Sequence, residues 1–178
     1  MSVGAICRVG SLKDIASFQK HLQDLNLHIP CDPEIVTGSQ SPLRWELKRG
    51  PFKIGNRIAV QPMEGWDATP DGAPSDLTVR RWQRFGSSSG KLIWGGEAVA
   101  VSHEGRANPN QLLASSRTQQ RLAHLLAVLK DAHILKTGTD DGMLVGLQLT
   151  HSGRYCRPNE HTRAEPRILY RHPWWTSA

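Results

Sequence analysis

Three stretches place reactive or ligand-binding residue types directly after short apolar runs: residues 61–67, 91–110 and 144–159. The first, Gln61-Pro62-Met63-Glu64-Gly65-Trp66-Asp67, follows the run Arg57-Ile58-Ala59-Val60. A strand apolar at consecutive positions is covered on both faces, as in parallel sheets flanked by helices, and ligands in such folds collect where strands end. Residues 61–67 are therefore a candidate ligand-contacting loop. Other chemistries have weaker support. His103 and Glu104 follow a strand, but no third ligand at metal spacing accompanies them, which argues against zinc. Ser87-Ser88-Ser89-Gly90 has the composition of a phosphate loop, yet it precedes a strand, whereas a phosphate-binding loop follows one and opens a helix. Neither a Gly-x-Ser-x-Gly elbow nor a Gly-x-Gly-x-x-Gly fingerprint occurs, which removes the hydrolase and Rossmann readings.

The elements that must position these stretches are legible in the periodicity. A first helix is expected over residues 11–25: Ser11 can cap it with Asp14 three residues on, and Ile15, Phe18, Leu22 and Leu25 keep to one face. Pro30 and Pro33 stop any continuation. Residues 31–51 are turn-rich around one alternating stretch, Leu43 through Lys48, which suits a half-exposed strand and one arm of a hairpin. From Asn56 the order becomes strand, loop, helix. The Arg57 strand leads through a Gly/Asp/Pro loop to a helix over about residues 75–85, with Gly86 as its C-cap. A second strand, Lys91-Leu92-Ile93-Trp94, runs into Gly95-Gly96-Glu97-Ala98. A second helix follows, with Ser116 and Gln119 as a capping box and Leu122, Leu125, Leu126 and Leu129 as its buried stripe. A third strand spans residues 144–149. Right-handed crossovers would bring every loop after a strand to one side of the sheet, so the three marked stretches converge.

In this order the stretches resemble the N-terminal half of the old yellow enzyme family, FMN-dependent NADH:flavin oxidoreductases. The resemblance rests on Asn56-Arg57-Ile58 with Pro62-Met63, on Glu97-Ala98 with Glu104-Gly105-Arg106, and on Gln148-Leu149 with His151-Ser152-Gly153-Arg154. It covers roughly residues 51–173. It implies an α/β fold, a partial TIM (β/α)8 barrel of about three of eight β/α units, preceded by a helical N-terminal extension (1–50) with a β-hairpin. FMN would lie across the strand ends, held by Pro62, Met63, Glu64, Ala98 and Gln148, with Thr150 lining the substrate pocket. Gln148 matches a glutamine that meets the pyrimidine edge of the flavin, since a primary amide both donates and accepts; the alternative is a glutamine paired with backbone. Proline lacks an N–H, so any backbone hydrogen bond from the first loop comes from Met63 or Glu64. Glu64 stands where relatives often carry threonine or cysteine, and a carboxylate there would oppose the anionic reduced ring unless it is paired or turned away. Gly95 and Gly96 either admit a close backbone approach or simply fill a crowded interior. His151 reads as a structural histidine or a catalyst, and Glu97 as a partner for a nearby cation; no residue is assigned a catalytic step.

Length and composition bound the rest. The 178 residues fit one domain able to bury a core, and a mean hydropathy of −0.44 describes a soluble chain with no apolar run near the roughly 20 residues of a membrane span. The N-terminus lacks a secretory apolar segment, so a cytoplasmic location is expected. Cys7, Cys31 and Cys156 are too widely spaced for a disulfide framework or a Cys-x-x-Cys site. A full barrel takes about 250 residues, so this chain is expected to be a truncated product or fragment, with an open strand edge available for self-association. The implied activity passes hydride from NADH or NADPH through FMN to an activated alkene, an enone or an enoyl thioester, and no membrane partner is expected. The alternative is a non-catalytic remnant or interaction module. Its C-terminal segment interleaves Arg154, Arg157, Arg163, Arg167 and Arg171 with Tyr155, Tyr170, Trp174 and Trp175, a pattern that can bind nucleic acid by phosphate contact and stacking, or another protein. The plainer view of that segment is a solvated loop with its aromatics against the body, and nucleic acid is not the expected partner.

Overall fold

A computed structural model describes residues 6–170, which fall into two compact units divided between residues 41 and 42. The first unit holds α1 (Ile15–Asp24). Its N-cap is Asp14, three residues later than expected, because Asp14 Oδ1 accepts the Ser17 N–H at 2.7 Å while Ser17 Oγ accepts the Asp14 N–H at 3.3 Å. Ser11, the expected cap, instead donates its hydroxyl to the Arg8 carbonyl at 2.7 Å. Such reciprocal capping satisfies two N–H groups that a helix start leaves without partners.

In the second unit a hairpin pairs β1 (Leu47–Arg49) with β2 (Phe52–Ile54), Leu47 opposite Ile54. The hairpin was expected, but its first arm is shorter than the alternation of residues 43–48 suggests. Pro42–Arg44 forms a 3-10 turn instead, and the Leu43 carbonyl accepts the Arg57 N–H at 2.9 Å. Three parallel strands follow, β3 (Ala59–Val60), β4 (Leu92–Ala100) and β5 (Leu144–Thr150), adjacent in that order. Between them run α2 (Asp76–Ser87) and α3 (Gln119–Thr137). The architecture is α/β with a parallel sheet, and each long connection contains one helix.

Strand β4 does not end at Trp94. Its pairing with β5 moves from Trp94–Gly146 to Ala98–Gln148, so four residues of advance on β4 meet two on β5. Gly95 makes this bulge possible: its φ is +61°, and a Cβ there would lie 2.5 Å from the Gln148 nitrogen. Of the two roles open to this glycine, close approach of backbone is the one it plays. A bulge bends its strand and re-aims the side chains beyond it. Here those are Glu97 and Ala98.

The core joins Ile93 and Val99 of β4 to Trp82 of α2 and Leu125 and Leu129 of α3, with Ala68 and Leu112 from the loops. On α3 the buried row is Leu125, Leu129 and His133, spaced by four; Leu126, expected inside, is 38% exposed. Gly86 is not a C-cap. It lies within α2, where a Cβ would overlap the Leu129 carbonyl oxygen and approach Ala132 Cβ to 3.1 Å. His133 fills the adjacent space, its Nδ1 donating to the Gly86 carbonyl at 3.0 Å. The glycine that does cap a helix is Gly138, in the left-handed conformation after α3. Among the described residues no helix is long and apolar enough to cross a membrane.

Gly86 therefore sets how closely α2 and α3 pack. Although alanine is the better helix former by about 1 kcal/mol, Gly86→Ala should destabilise the fold by about 1–3 kcal/mol through overpacking. Urea unfolding monitored by circular dichroism measures this; a stabilised variant would contradict the packing described.

Candidate functional site

The loop after β3 is held from below by a ladder on α2. Ser75, Thr78 and Arg81 succeed each other at intervals of three and so share one side of the helix, and all three reach Asp67. Ser75 Oγ donates to the Asp67 carbonyl, and Thr78 Oγ1 donates to Asp67 Oδ1 at 2.9 Å. Arg81 grips the carboxylate with two N–H groups, Nε to Oδ2 at 3.0 Å and Nη2 to Oδ1 at 2.8 Å. Ser75 is also the N-cap of α2, accepting from the Leu77 and Thr78 N–H groups. One serine thus starts the helix and ties the loop to it.

Arg81 Nη2 also donates to Glu97, delivered inward by the β4 bulge and only 1% exposed. The second oxygen of Glu97 accepts the Gly65 N–H at 2.7 Å. The cation expected beside Glu97 is Arg81. Burial pushes the Glu97 carboxyl up from its ordinary pKa, against the opposing pull of the Gly65 N–H and Arg81. Asp67 goes the other way: burial works to raise it, but the hydrogen bonds from Arg81 and Thr78 prevail and its pKa falls below the usual value.

A second guanidinium joins the other two loops. Arg106 is fully buried and makes no ion pair among the described residues. Its Nε and Nη2 donate to the Gln111 carbonyl at 3.0 and 2.7 Å, and its Nη1 to the Pro70 carbonyl at 2.8 Å. Its own carbonyl accepts the Arg157 N–H at 2.8 Å. The loops after β3, β4 and β5 meet at this residue. Burial draws its pKa down, yet a guanidinium remains charged. His151 packs on Gly105, where a Cβ would fall 2.6 Å from its ring, and its Nδ1 accepts the Gly153 N–H at 3.1 Å. Those contacts fit the structural reading of this histidine.

Above these supports a cavity of about 540 Å³ opens at the strand ends. Its lining brings together Pro62, Met63, Glu64, Ala98, Gln148 and Thr150, the residues that the resemblance sets around flavin and substrate, with Trp66 of the first loop beside them. The backbone zips the two walls, the Ala98 N–H donating to the Met63 carbonyl at 3.2 Å. Glu64 is paired: its Oε2 accepts the Trp66 indole N–H at 3.0 Å. Among the described residues the Gln148 amide makes no hydrogen bond, so it is not the backbone-paired glutamine of the alternative reading. The N–H groups of Met63 and Glu64 are likewise unspent. Trp66, at φ +50°, lies in the candidate loop 61–67, but no motif singles it out there; Arg81 and Gln111 escaped because the partners that tie them to the site, Asp67 and Glu97 for one and Ala98 and Thr150 for the other, lie 14–16 and 13–39 residues away. In the C-terminal segment, Tyr155 and Tyr170 are 69% and 71% exposed, contrary to the expectation that the aromatics pack on the body. Arg171, Trp174 and Trp175 lie outside the described residues.

If Arg81 neutralises Glu97, Arg81→Met should cost about 3–5 kcal/mol in urea unfolding at neutral pH, the range for stranding a buried charge. Without the cation, burial raises Glu97 further, so the folded state holds a proton that the unfolded chain releases. The variant should accordingly gain stability as pH falls from 7 towards 5. Adding Glu97→Gln should remove that gain; a double variant with the same pH slope would refute the pairing.

No family model matches the chain, and no curated protein matches it significantly. Solved structures do. An old yellow enzyme homologue from Zymomonas mobilis is 26% identical with a TM-score of 0.50, over 63% of this chain and 28% of its own. Old yellow enzyme from a Pichia species (18% identity, TM-score 0.51) aligns over 66% of this chain and 28% of its own. A 2-naphthoyl-CoA reductase complex (16%, 0.54) aligns over 68% and 17%. These last two speak to the fold alone. The chain spans less than a third of the length of each, in keeping with a resemblance confined to the N-terminal part. The likeness to the old yellow enzyme family read from three short motifs is thus also a likeness of structure.

Proposed function

We propose that this chain supplies one wall of an FMN site in an oxidoreductase of old yellow enzyme type, one that reduces activated alkenes such as enones or enoyl thioesters at the expense of NADH or NADPH. The observation that carries this reading is the convergence of Pro62, Met63, Glu64, Ala98, Gln148 and Thr150 on one cavity at the ends of parallel strands. The strands would form about three of the eight units of a barrel.

The residues present suit the flavin ring. Its pyrimidine edge alternates donor and acceptor, and the unpaired Gln148 amide can match both. The Met63 and Glu64 N–H groups are free to meet ring acceptors, and Ala98 leaves room for a flat ring against β4. Volume agrees as well, since about 540 Å³ lies within the range of small-molecule and cofactor sites. Bound FMN would supply hydride transfer between a reduced nicotinamide and the alkene. The part of this chain is to orient the ring through Gln148 and the Met63–Glu64 backbone. Glu64 keeps its carboxylate on the Trp66 indole, which answers in part why an acid is tolerated at this edge.

The purified chain should take up added FMN and keep flavin absorbance through desalting. Gln148→Leu should weaken FMN binding about tenfold, the worth of a lost hydrogen-bonding pair at about 1.4 kcal/mol. Fluorescence quenching of free FMN gives both constants. A wild-type chain that comes through desalting colourless after incubation with excess FMN would sink the flavin reading and leave the interaction module as its successor.

A further inference from the structure

Gln111 lies wholly out of solvent beneath the cavity, and its amide can sit only one way round. Its Oε1 is 2.7 Å from the Ala107 nitrogen, a group that only donates. Its Nε2 is 3.0 Å from the Ala98 carbonyl, a group that only accepts. A flipped amide would set N–H against N–H and oxygen against oxygen. With both ends fixed, the remaining Nε2 proton points at Thr150 Oγ1, 3.2 Å away. The Thr150 oxygen is therefore an acceptor towards the protein. A hydroxyl carries one proton of its own, and that proton has no acceptor among the described residues. Thr150 lies two positions after Gln148, so both side chains leave the same face of β5, and both line the cavity.

We infer that Thr150 is a hydrogen-bond donor to the molecule bound in this cavity, with Gln111 occupying one lone pair of its oxygen and leaving its proton to the ligand, so that the ligand presents an acceptor oxygen or nitrogen at that point. Two sources share this chemistry, a carbonyl of the flavin ring and the activating carbonyl of the alkene substrate. A ligand offering only donors there would meet the second lone pair of the hydroxyl and leave its proton unmatched. The identity of these two molecules rests on the flavin reading above; the polarity of Thr150 does not.

The test uses the full chain, the near-isosteric variant Thr150→Val, and Thr150→Ser, which keeps the hydroxyl. Each is titrated with FMN and, separately with and without FMN, with 2-cyclohexen-1-one, and binding is read from amide chemical shifts in NMR spectra. Thr150→Val should weaken at least one probe about five- to tenfold, the effect of one net hydrogen bond, while Thr150→Ser stays within about twofold of wild type. Loss of FMN affinity places the acceptor on the flavin; loss of enone affinity alone places it on the substrate. Gln111→Glu adds a readout that packing alone would not move: a carboxylate takes the Thr150 proton for itself, so the same loss appears with Thr150 intact and does not add to that of Thr150→Val. If that variant fails to fold, the two threonine substitutions still decide. Equal binding of both probes by all three threonine forms, or binding of neither by wild type, overturns the inference. FMN retained with no effect of Thr150→Val would sink this inference and spare the flavin reading. Enone binding lost in Thr150→Val by a chain that never takes up FMN would do the reverse.

Discussion

Everything above the sheet depends on one cation shared by two acids. Arg81 lies between Asp67, at the end of the first loop, and Glu97, thrust inward by the bulge of β4. Taking a carboxylate as fully out of water as Glu97 costs several kcal/mol, and the attraction of a buried partner offsets this only when the remaining lone pairs are also satisfied. Glu97 meets both conditions, because its second oxygen takes the Gly65 N–H. That last bond carries the functional consequence. It turns an ion pair between a helix and a strand into a clamp on the backbone of the loop that lines the cavity, two residues from Met63 and one from Trp66. Since Asp67 is in turn fixed by Ser75 and Thr78, the loop has little freedom left to move away from β4.

Arg106 solves a parallel problem by different means. It joins three loops without a carboxylate partner among the described residues, distributing its N–H groups over the carbonyls of Pro70 and Gln111. A guanidinium suits this because it offers five donors in a fixed plane and, unlike lysine, does not escape burial by losing its proton. The two arginines thus stabilise different things. Arg81 sets the height of the first loop against the sheet, while Arg106 sets the loops against one another. Gln111 links both levels, its carbonyl bound to Arg106 and its amide to Ala98 and Thr150.

How much of this was legible in the sequence follows from the range of each interaction. The β/α order and the hairpin are local, and their periodicity or spacing announced them. The cavity was legible for a different reason: Pro62, Met63, Ala98, Gln148 and Thr150 sit on short motifs whose order along the chain carries the resemblance. What escaped was the support beneath. Nothing in the spacing of Asp67, Arg81 and Glu97 marks them as partners, because the bulge that brings Glu97 inward depends on how Gly95 meets Gln148 across the sheet. Gly86 misled for a related reason. A glycine near a helix end suits a cap, but its value lies in the approach of α3, which no local pattern reveals. The same holds for Leu126, where a stripe at i, i+3, i+4 and i+7 proved wider than the face that α3 buries.

The division between support and lining also explains why so many polar groups at the cavity are uncommitted. Glu97, Arg81, Arg106 and Gln111 are spent on the protein itself and are buried or half-buried, whereas the Gln148 amide, the Met63 and Glu64 N–H groups and the Thr150 proton have no partner among the described residues. Leaving donors unpaired is tolerable where water reaches them, and costly once a ligand seals them off without matching them. A ligand that fills this cavity must therefore answer several groups at once: backbone donors along the first loop, a hydroxyl proton at Thr150, and a donor–acceptor pair at Gln148. Few flat molecules alternate their edges in that way, and a pyrimidine-like ring edge is one of them. The selectivity of the site then lies less in its shape, which is open, than in these uncommitted groups and in the buried network that holds the first loop at Gly65 and the Thr150 hydroxyl from behind.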